Sequence, residues 1–213
     1  MNSSSPRRYA IRPSRPAIFI AALALIAVVS YQLRDVLYLG LSGSVRDSAV
    51  LSAAAVFCSE TVLKFLMLGA ILLTVAIWFR DRNAFWRLIC GALGAVLAYA
   101  LSELLKALVT EERPCRTLEA VTAMACPQPG DWSWPSNHSV VAAAIATTCL
   151  LVRPALAAVA IPAALLVALA RVGVGAHYVH DVFSGLALGA LIVLVCIHVL
   201  PGLPRRIRPS AVR

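Results

Sequence analysis

Long apolar segments, separated by short polar ones, make up most of this chain. A helix needs about 20 mostly apolar residues to cross the hydrocarbon core of a membrane. Six segments come close to that length, and we predict that each forms a transmembrane helix. Their approximate limits are Pro16 to Tyr31, Glu60 to Phe79, Ala84 to Val109, Ser136 to Val152, Ala155 to Arg171 and Asp181 to Leu200. The pattern therefore predicts an all-α, polytopic membrane protein.

Stretches of intermediate polarity lie between these segments. The first helix extends to Leu39 if Arg34 and Asp35 lie at the membrane interface. The segment 42–59 is only mildly apolar and is interrupted by glycine and charged residues, so we expect it to lie along the membrane surface. Residues 110–135 contain Pro and Cys and are predicted to form a polar loop.

The polar ends of the chain enclose a single membrane domain. We predict a tail at residues 1–15, a six-helix membrane domain at residues 16–203 and a basic tail at residues 204–213. No change in composition marks a second domain, and no small-residue cleavage site follows the first apolar segment. We therefore expect the first helix to be retained and not removed as part of a signal peptide.

The distribution of basic residues predicts the orientation in the membrane. With six spans, the larger set of basic residues falls on one side, which we expect to be the cytoplasmic side and to include both termini. This set is Arg7, Arg8, Arg12, Arg15, Arg80, Arg82, Arg87, Arg153, Arg205, Arg206, Arg208 and Arg213. The opposite set is Arg34, Arg46, Lys64, Lys106, Arg113, Arg116 and Arg171. We predict a multi-pass protein of the plasma membrane.

Composition restricts the class of partner. Hydrophobic residues make up 61% of the 213 residues and charged residues only 14%, which is typical of an integral membrane protein. The net charge of +9 would suggest nucleic-acid binding in a soluble domain, but here the Arg residues lie at the chain ends and in short loops. We therefore expect the lipid bilayer and no nucleic acid as a partner, and the sequence indicates no particular oligomeric state.

The segment Pro135-Ser136-Asn137-His138 begins an apolar helix. Ser136 is a favourable N-cap residue, and the free N–H groups of a helix start form an anion-binding site together with the helix dipole. His138, in the first turn, would then adjoin the bound anion. A plain helix cap with an uninvolved His is the alternative.

The segment from Arg171 to Asp181 ends the fifth apolar segment. His177 and Asp181 are four residues apart, and on a helix this spacing places them on one face. The carboxylate can then hold one ring nitrogen while the other is free to attack an electrophile. A buried His–Asp pair that only anchors the helix end is the alternative. We expect the adjacent His180 to be an interface residue.

Lys106 and Arg113 add two cations near the end of the third apolar segment. A chain turn at Pro114 would bring both to one phosphate, although a Lys at a helix end can also simply extend to the lipid headgroups. Charged groups near hydrocarbon are costly, so the cations, imidazoles and carboxylate of the three segments together predict a functional site. Cations of this kind hold oxyanions such as phosphate.

The three segments resemble the signatures of the type-2 phosphatidic acid phosphatase superfamily, which are K-x6-R-P, P-S-G-H and S-R-x5-H-x3-D. In this chain they run from Lys106 to Pro114, from Pro135 to His138 and from Ala170 to Asp181. Asn137 stands in place of the usual Gly, and Ala170 in place of the usual Ser. Order, spacing and separation otherwise match, and the resemblance covers about residues 60–200.

The resemblance implies catalysis without a metal or another cofactor. His177 would attack phosphorus to form a phosphohistidine, Asp181 would orient His177, and His138 would protonate the leaving oxygen and later activate water. The phosphoryl oxygens would be held by Lys106, Arg113, Ser136, Asn137 and Arg171. We therefore predict a lipid phosphatase with its site on the extracytoplasmic face.

The identity of the lipid is less constrained. The small size and the run around Trp132 and Trp134 resemble the bacterial polyprenyl diphosphate phosphatases, which implies conversion of undecaprenyl or another polyprenyl diphosphate to the monophosphate for recycling of a cell-wall carrier. Both Trp side chains are also typical interface anchors. Phosphatidic acid, phosphatidylglycerol phosphate and a polyprenyl-linked sugar phosphate are alternative substrates. A membrane transporter is the non-enzyme alternative.

Two of the six cysteines, Cys115 and Cys126, lie in the same predicted external loop. That compartment permits disulfides, but the sequence alone leaves open whether these two residues are bridged. Three others lie in apolar helices and are expected to be packing residues: Cys90, Cys149 and Cys196. No cysteine pair has zinc-ligand spacing with a His, and we expect no metal site.

Overall fold

Residues 14–200 are described by a computed structural model of the chain. The predicted tails 1–15 and 204–213 therefore lie outside the described residues, apart from Ser14 and Arg15 at the start of the first helix. The described residues form helices joined by short turns and one longer loop, with no strand among them. The all-α prediction is confirmed.

Nine α-helices and one π-helical turn make up the described part of the chain. They are α1 (Ser14–Gln32), α2 (Arg34–Arg46), α3 (Ala49–Phe57), the π-helical turn Cys58–Val62, α4 (Leu63–Trp78), α5 (Arg82–Val109), α6 (Pro114–Thr117), α7 (Asn137–Val152), α8 (Pro154–Gly173) and α9 (Val179–Val199). The limits of α5, α7, α8 and α9 agree with the apolar pattern to within a few residues.

The segment between α2 and α4 differs from its prediction as a surface segment. Its second half forms α3, which continues through the π-helical turn into α4 as one unit of 30 residues, Ala49–Trp78. The glycine and the charged residues that interrupt the pattern all precede Ser48, whose side chain caps α3 by accepting the Leu51 N–H. After this cap the sequence contains no helix breaker, so the second apolar helix begins well before Glu60.

Four helical units in residues 14–200 are long and apolar enough to cross a membrane, and a fifth is added if α1 and α2 are taken as one span. α2 leaves α1 at an angle of 94°, so the first helix does not continue straight to Leu39. α7 has only 16 residues, fewer than the roughly 20 that a full crossing requires. Six spans with both termini in the cytoplasm therefore stay a prediction.

α7 lies at the centre of the bundle and contacts α5, α8 and α9. Three consecutive small residues of α7 face three different neighbours. Ala142 packs in a cluster with residues of α8, Ala143 in a cluster with α1, α8 and α9, and Ala144 in a cluster with α9. Because protein surrounds it, α7 needs little contact with lipid and tolerates its short length.

Two glycines of α9 bring its backbone close to that of α7. A Cβ atom at Gly189 would lie 2.2 Å from the Val140 carbonyl oxygen, and one at Gly185 would lie 2.5 Å from the Ser136 carbonyl oxygen. Small residues permit this close helix contact. As a result, the start of α7 meets the start of α9, where the Ser136 N–H donates to the Asp181 carbonyl oxygen at 3.1 Å.

Candidate active site

The predicted site residues come together at one end of the bundle, where α5 and α8 end and α7 and α9 begin. A cavity of about 400 Å³ is lined by Lys106, Arg113, Asn137, His138 and His177, among others. Ser136, Arg171 and Asp181 are buried beside these residues. Three segments that are distant in sequence thus form one site.

The His177 imidazole is held between a carboxylate and a guanidinium. Its Nδ1 lies 3.3 Å from Asp181 Oδ2, and its Nε2 lies 3.1 Å from Arg113 Nη1. Asp181 Oδ2 also accepts hydrogen bonds from the Tyr178 backbone N–H, at 2.8 Å, and from the Ser133 hydroxyl. The carboxylate favours a proton on His177 Nδ1, which leaves the Nε2 lone pair on the side of Arg113.

The spacing of His177 and Asp181 alone suggested that both lie on one face of a helix. In the structure the pair instead forms across the start of α9. α9 begins at Val179, so His177 precedes the helix, and Tyr178 has the extended backbone of an N-cap residue. Gly175, with a φ of 87°, turns the chain between α8 and α9. The His177 ring thereby meets a carboxylate in the first turn of the helix.

His177 is buried and surrounded by positive charge. Burial lowers the pKa of His177 well below its ordinary value, and the charges of Arg113, Arg171 and Lys106 lower it further. The residue is 1% exposed. His177 is therefore neutral at neutral pH, the state in which a ring nitrogen has a lone pair for attack.

Asp131, which lies outside the three signatures, contacts both cations of the first signature. Its Oδ1 accepts a hydrogen bond from Arg113 Nη2 at 2.8 Å and lies 3.7 Å from Lys106 Nζ. Burial alone would raise the pKa of Asp131, but the hydrogen bond and charge of Arg113, with the charge of Lys106, lower it below its ordinary value. A carboxylate thus occupies the place beside these cations that suits a phosphoryl oxygen.

Arg113 is fixed by the backbone as well. Its Nε donates to the Asp131 carbonyl oxygen and its Nη1 to the Ala176 carbonyl oxygen, both at 2.8 Å. The side chain is 4% exposed. Because three of its contacts do not depend on a ligand, the guanidinium is positioned before any anion binds.

Glu60 connects His138 with Arg171. Its Oε1 lies 3.7 Å from His138 Nε2 and 3.2 Å from Arg171 Nη1, which also donates to the Ser59 hydroxyl at 3.0 Å. Ser59 and Glu60 belong to the π-helical turn, a distortion that is frequent at functional sites. Glu60 is an acidic residue in an otherwise apolar segment, and this is the feature of the sequence that could have indicated it as a site residue.

Ser136 and Asn137 start α7, as predicted, but with different contacts. Ser136 is the N-cap residue, yet its hydroxyl caps no backbone N–H and has no hydrogen-bond partner among residues 14–200. Asn137 is the first helical residue; its Oδ1 accepts from the Ser102 hydroxyl at 2.6 Å, and its Nδ2 donates to Glu103 Oε1 at 2.5 Å. The Ser136 hydroxyl is therefore buried without a partner in residues 14–200, whereas the Asn137 side chain is already occupied.

Comparison with known proteins gives the family. The sequence profile of the PAP2 superfamily matches residues 86–205, more than half of the chain. This chain belongs to the PAP2 superfamily. The resemblance in its three signatures is thereby confirmed.

Two relatives of this PAP2 chain have names that refer to polyprenyl lipids. The chain is 33% identical to an undecaprenyl-diphosphatase of Sulfolobus acidocaldarius over 105 residues, 49% of this chain and 50% of that protein. It is 35% identical to a decaprenylphosphoryl-5-phosphoribose phosphatase of Mycobacterium tuberculosis over 128 residues, 59% of this chain and 64% of that protein. The matched part thus spans between half and two thirds of each relative.

A solved PAP2 structure has the same fold. It is the transmembrane PAP2-type phosphatidylglycerolphosphate phosphatase from Bacillus subtilis, which superimposes with a TM-score of 0.62 over 93% of this chain and 98% of that one. The two sequences are 21% identical, so the likeness concerns the fold alone.

In this PAP2 chain the loop between α5 and α7 is closed by a disulfide. The Sγ atoms of Cys115 and Cys126 are bonded, and their Cα atoms lie 6.0 Å apart. The Arg116 guanidinium also donates to the Pro127 carbonyl oxygen. The loop that carries Arg113 and Asp131 is thus held by a covalent bond and by backbone contacts.

The prediction that His180 lies at the interface is wrong. His180 is 3% exposed, and its Nε2 lies 3.1 Å from Asp181 Oδ1 and 3.1 Å from both carboxylate oxygens of Glu111. These three residues also bring three atoms able to bind a metal within 4.8 Å of one another, a cluster that the sequence did not predict. The contacts of His180 Nε2 with Glu111 are ordinary hydrogen bonds, whereas Asp181 Oδ1 has no hydrogen-bond partner in residues 14–200.

Proposed function

We propose that this chain is an integral membrane lipid phosphatase that hydrolyses a polyprenyl diphosphate, such as undecaprenyl diphosphate, to the monophosphate. The observation that carries the proposal is the position of His177. Its Nδ1 faces Asp181, its Nε2 faces Arg113, and its ring lines one cavity with Lys106 and His138. A neutral imidazole beside fixed cations is suited to attack on phosphorus.

In the first step, the Nε2 lone pair of His177 attacks the terminal phosphorus, and the bond from phosphorus to the leaving oxygen breaks. The Arg113 N–H that faces Nε2 in the free protein then donates to a phosphoryl oxygen. Asp181 stabilises the positive charge that develops on the His177 ring. His138 becomes protonated when the negatively charged phosphate binds beside it, and it transfers this proton to the leaving lipid phosphate.

In the second step, His138 takes a proton from water, and the water oxygen attacks the phosphohistidine. The phosphorus–nitrogen bond breaks, which releases inorganic phosphate and restores neutral His177. The phosphoryl oxygens are held by Lys106, Arg113, Arg171, the Ser136 hydroxyl and the Asn137 backbone N–H. The steps as written require no metal ion or other cofactor.

The shape of the cavity supports a lipid substrate with one long chain. Beyond the polar residues, the cavity is lined by Leu63, Tyr99, Met67 and Val141. Met67 and Val141 also line a second, apolar cavity of about 380 Å³ between α4, α5 and α7. Because the two cavities share Met67 and Val141, an apolar path leads from the phosphate site along α4, α5 and α7, and such a path is suited to a long polyprenyl chain.

Two features support a site on the extracytoplasmic side of the plasma membrane. The Cys115–Cys126 disulfide lies in the loop that carries site residues, and disulfides persist in oxidising compartments. At the other end of the bundle, Arg153 pairs with Asp81 at 3.3 Å, which joins two Arg-containing turns. Basic turns of this kind favour the cytoplasmic side. From this position the enzyme would recycle a lipid carrier of cell-wall synthesis.

A substrate panel in detergent tests the proposal. Purified protein should release phosphate from a polyprenyl diphosphate faster than from phosphatidic acid, phosphatidylglycerol phosphate or a polyprenyl-linked sugar phosphate. His177→Ala should abolish release, and a chelator should leave it unchanged. Near-normal release by His177→Ala would refute the mechanism, and faster release from a two-chain lipid would refute the choice of substrate.

A further inference from the structure

One oxygen of the Asp181 carboxylate is buried without a hydrogen-bond donor. Oδ2 accepts from the Tyr178 backbone N–H and the Ser133 hydroxyl, whereas Oδ1 has no hydrogen-bond partner in residues 14–200. Asp181 is fully buried, and a buried carboxylate oxygen that no donor reaches is costly. The contact with His177 uses Oδ2, so Oδ1 is available to a further group.

Two more side chains bring ligand atoms close to this oxygen. His180 Nε2 lies 3.1 Å from Asp181 Oδ1 and 3.1 Å from both carboxylate oxygens of Glu111. In residues 14–200 these are the one group of three His, Cys, Asp or Glu side chains whose ligand atoms all lie within 4.8 Å of one another. A metal ion bound tetrahedrally at about 2.1 Å needs its ligand atoms about 3.4 Å apart. The three side chains therefore need only a small movement to enclose an ion.

A cavity gives access to the three side chains. Glu111 and His180 line a space of about 820 Å³ between α1, α5 and α9, and Asp181 lies fully buried next to His180. An ion that enters through this cavity would contact all three residues and keep one side open to water. Three protein ligands and one water are the usual ligand set of an open zinc site.

The types of ligand indicate which ion fits. Imidazole nitrogen together with carboxylate oxygens suits zinc, whereas Mg²⁺ and Ca²⁺ prefer oxygen ligands alone. In the free protein His180 donates its Nε2 proton to Glu111, so this proton moves to Nδ1 when Nε2 binds an ion. Nδ1 has no hydrogen-bond partner in residues 14–200 before the shift either, so no further polar atom loses a partner.

One nearby cation limits the affinity of the three side chains for zinc. Arg34 Nη1 lies 3.5 Å from Glu111 Oε1 and compensates part of the negative charge of the two carboxylates. We therefore expect zinc to bind only when it is added. This expectation agrees with a basal activity that a chelator leaves unchanged.

We propose that Glu111, His180 and Asp181 form a zinc site, and that zinc bound there inhibits the enzyme. Binding itself does not depend on the reaction, whereas the inhibition rests on the proposed phosphatase function. A zinc ion on Oδ1 neutralises the carboxylate that faces His177 with Oδ2. The positive charge that develops on the His177 ring during attack then loses its stabilisation, so formation of the phosphohistidine slows.

Zinc binding to chelator-treated, tag-free protein in detergent measures the site directly. After equilibrium dialysis against zinc, the wild type should retain about one more equivalent than Glu111→Gln, which loses the ligand charge and keeps the size of the side chain. Glu112→Gln, in the adjacent half-exposed residue that pairs with Arg116, is the matched control and should bind as the wild type does. Equal zinc contents of the wild type and Glu111→Gln would overturn the proposal.

Two measurements keep the test independent of how well a variant folds. Added zinc should raise the thermal unfolding temperature of the wild type, because it binds the folded state. Zinc X-ray absorption of the wild-type complex should show one imidazole nitrogen with oxygen ligands. Sulfur ligands, or an unchanged unfolding temperature, would overturn the proposal.

The effect on catalysis is measured with a small soluble phosphate ester. Added zinc should lower kcat about ten-fold in the wild type and in Glu112→Gln and should leave Glu111→Gln unchanged. Equal inhibition of Glu111→Gln would place the inhibitory zinc at the phosphate site and overturn the proposal. Bound zinc with an unchanged kcat would overturn the inhibition. A wild type that binds zinc through this site but hydrolyses no phosphate ester would instead refute the proposed function.

Discussion

At the residue scale, the site combines side chains at fixed positions within the three signatures with partner residues that lie outside the signatures. His138, His177 and Asp181 could be predicted because their spacing within a signature is regular. The contacts of Asp131 and Glu60 could not be predicted, because they depend on how the α5–α7 loop and the π-helical turn fold back on the cavity. These acidic residues compensate the cations in the free protein.

Replacing Asp131 by Asn should strengthen inhibition by inorganic phosphate. The variant removes a negative charge beside Arg113 and Lys106 but keeps the backbone carbonyl that accepts from Arg113 Nε. The Asp131 side chain is half-exposed, so solvent screens the pair, and we expect an inhibition constant about five-fold lower, or about 1 kcal/mol. Asp47→Asn, an exposed carboxylate on the turn after α2, is the control. An unchanged inhibition constant would show that Asp131 does not compete with phosphate.

The low pKa of His177 should be visible in the pH dependence of activity. Burial and the nearby cations favour the neutral ring, so kcat/KM should fall from protonation of His177 only well below the ordinary His pKa of about 6.5. Lys106→Gln removes one of these cations, which raises the pKa of His177 and moves the acid limb to higher pH. The measurement is a pair of pH profiles on one substrate. An acid limb at the same pH in both enzymes would contradict the prediction.

At the element scale, the apolar pattern located the helices but not their neighbours. It found α5, α7, α8 and α9 because each is a continuous apolar run with polar ends. It could not find the 94° bend between α1 and α2, or the central position of α7, because lipid-facing and protein-facing positions are equally apolar. The sequence likewise did not predict the close contact of α7 with α9 at Gly185 and Gly189, since a Gly in a helix does not by itself indicate that another helix packs against it.

Filling the groove between α4, α5 and α7 should discriminate between substrates. Ala92 lines the groove, so Ala92→Phe should raise KM for a polyprenyl diphosphate several-fold and leave hydrolysis of a small soluble phosphate ester unchanged. Val96→Phe, on an exposed part of the same helix, is the matched control. Equal effects of Ala92→Phe on both substrates would place the lipid chain elsewhere.

At the scale of the whole molecule, the bundle carries its charged site at one end and basic turns at the other. The sequence predicted this polarity from the distribution of Arg and Lys, since positive charge sorts loops across a membrane. It predicted six spans, whereas four or five units of residues 14–200 are long and apolar enough to cross, because α7 is short and the chain bends between α1 and α2.

Thiol labelling tests the polarity and the disulfide together. All six cysteines lie in the described part of the chain, and four are free: Cys58, Cys90, Cys149 and Cys196. The denatured protein should therefore show four reactive thiols before reduction and six after it. In intact cells, an impermeant reductant and maleimide should label Cys115 and Cys126, whereas an Arg80→Cys variant should react only after permeabilisation. Six thiols before reduction would exclude the disulfide, and the reverse labelling would invert the topology.

The shortness of α7 has a consequence for the bilayer around the protein. A helix of 16 residues is about 24 Å long, several ångströms less than a typical hydrocarbon core of about 30 Å. If α7 begins at the level of the phosphate site and ends at the opposite interface, the site lies below the average plane of the outer headgroups. Lipid near the site must then thin locally, so turnover should depend on acyl-chain length of the host membrane and decline as the bilayer thickens.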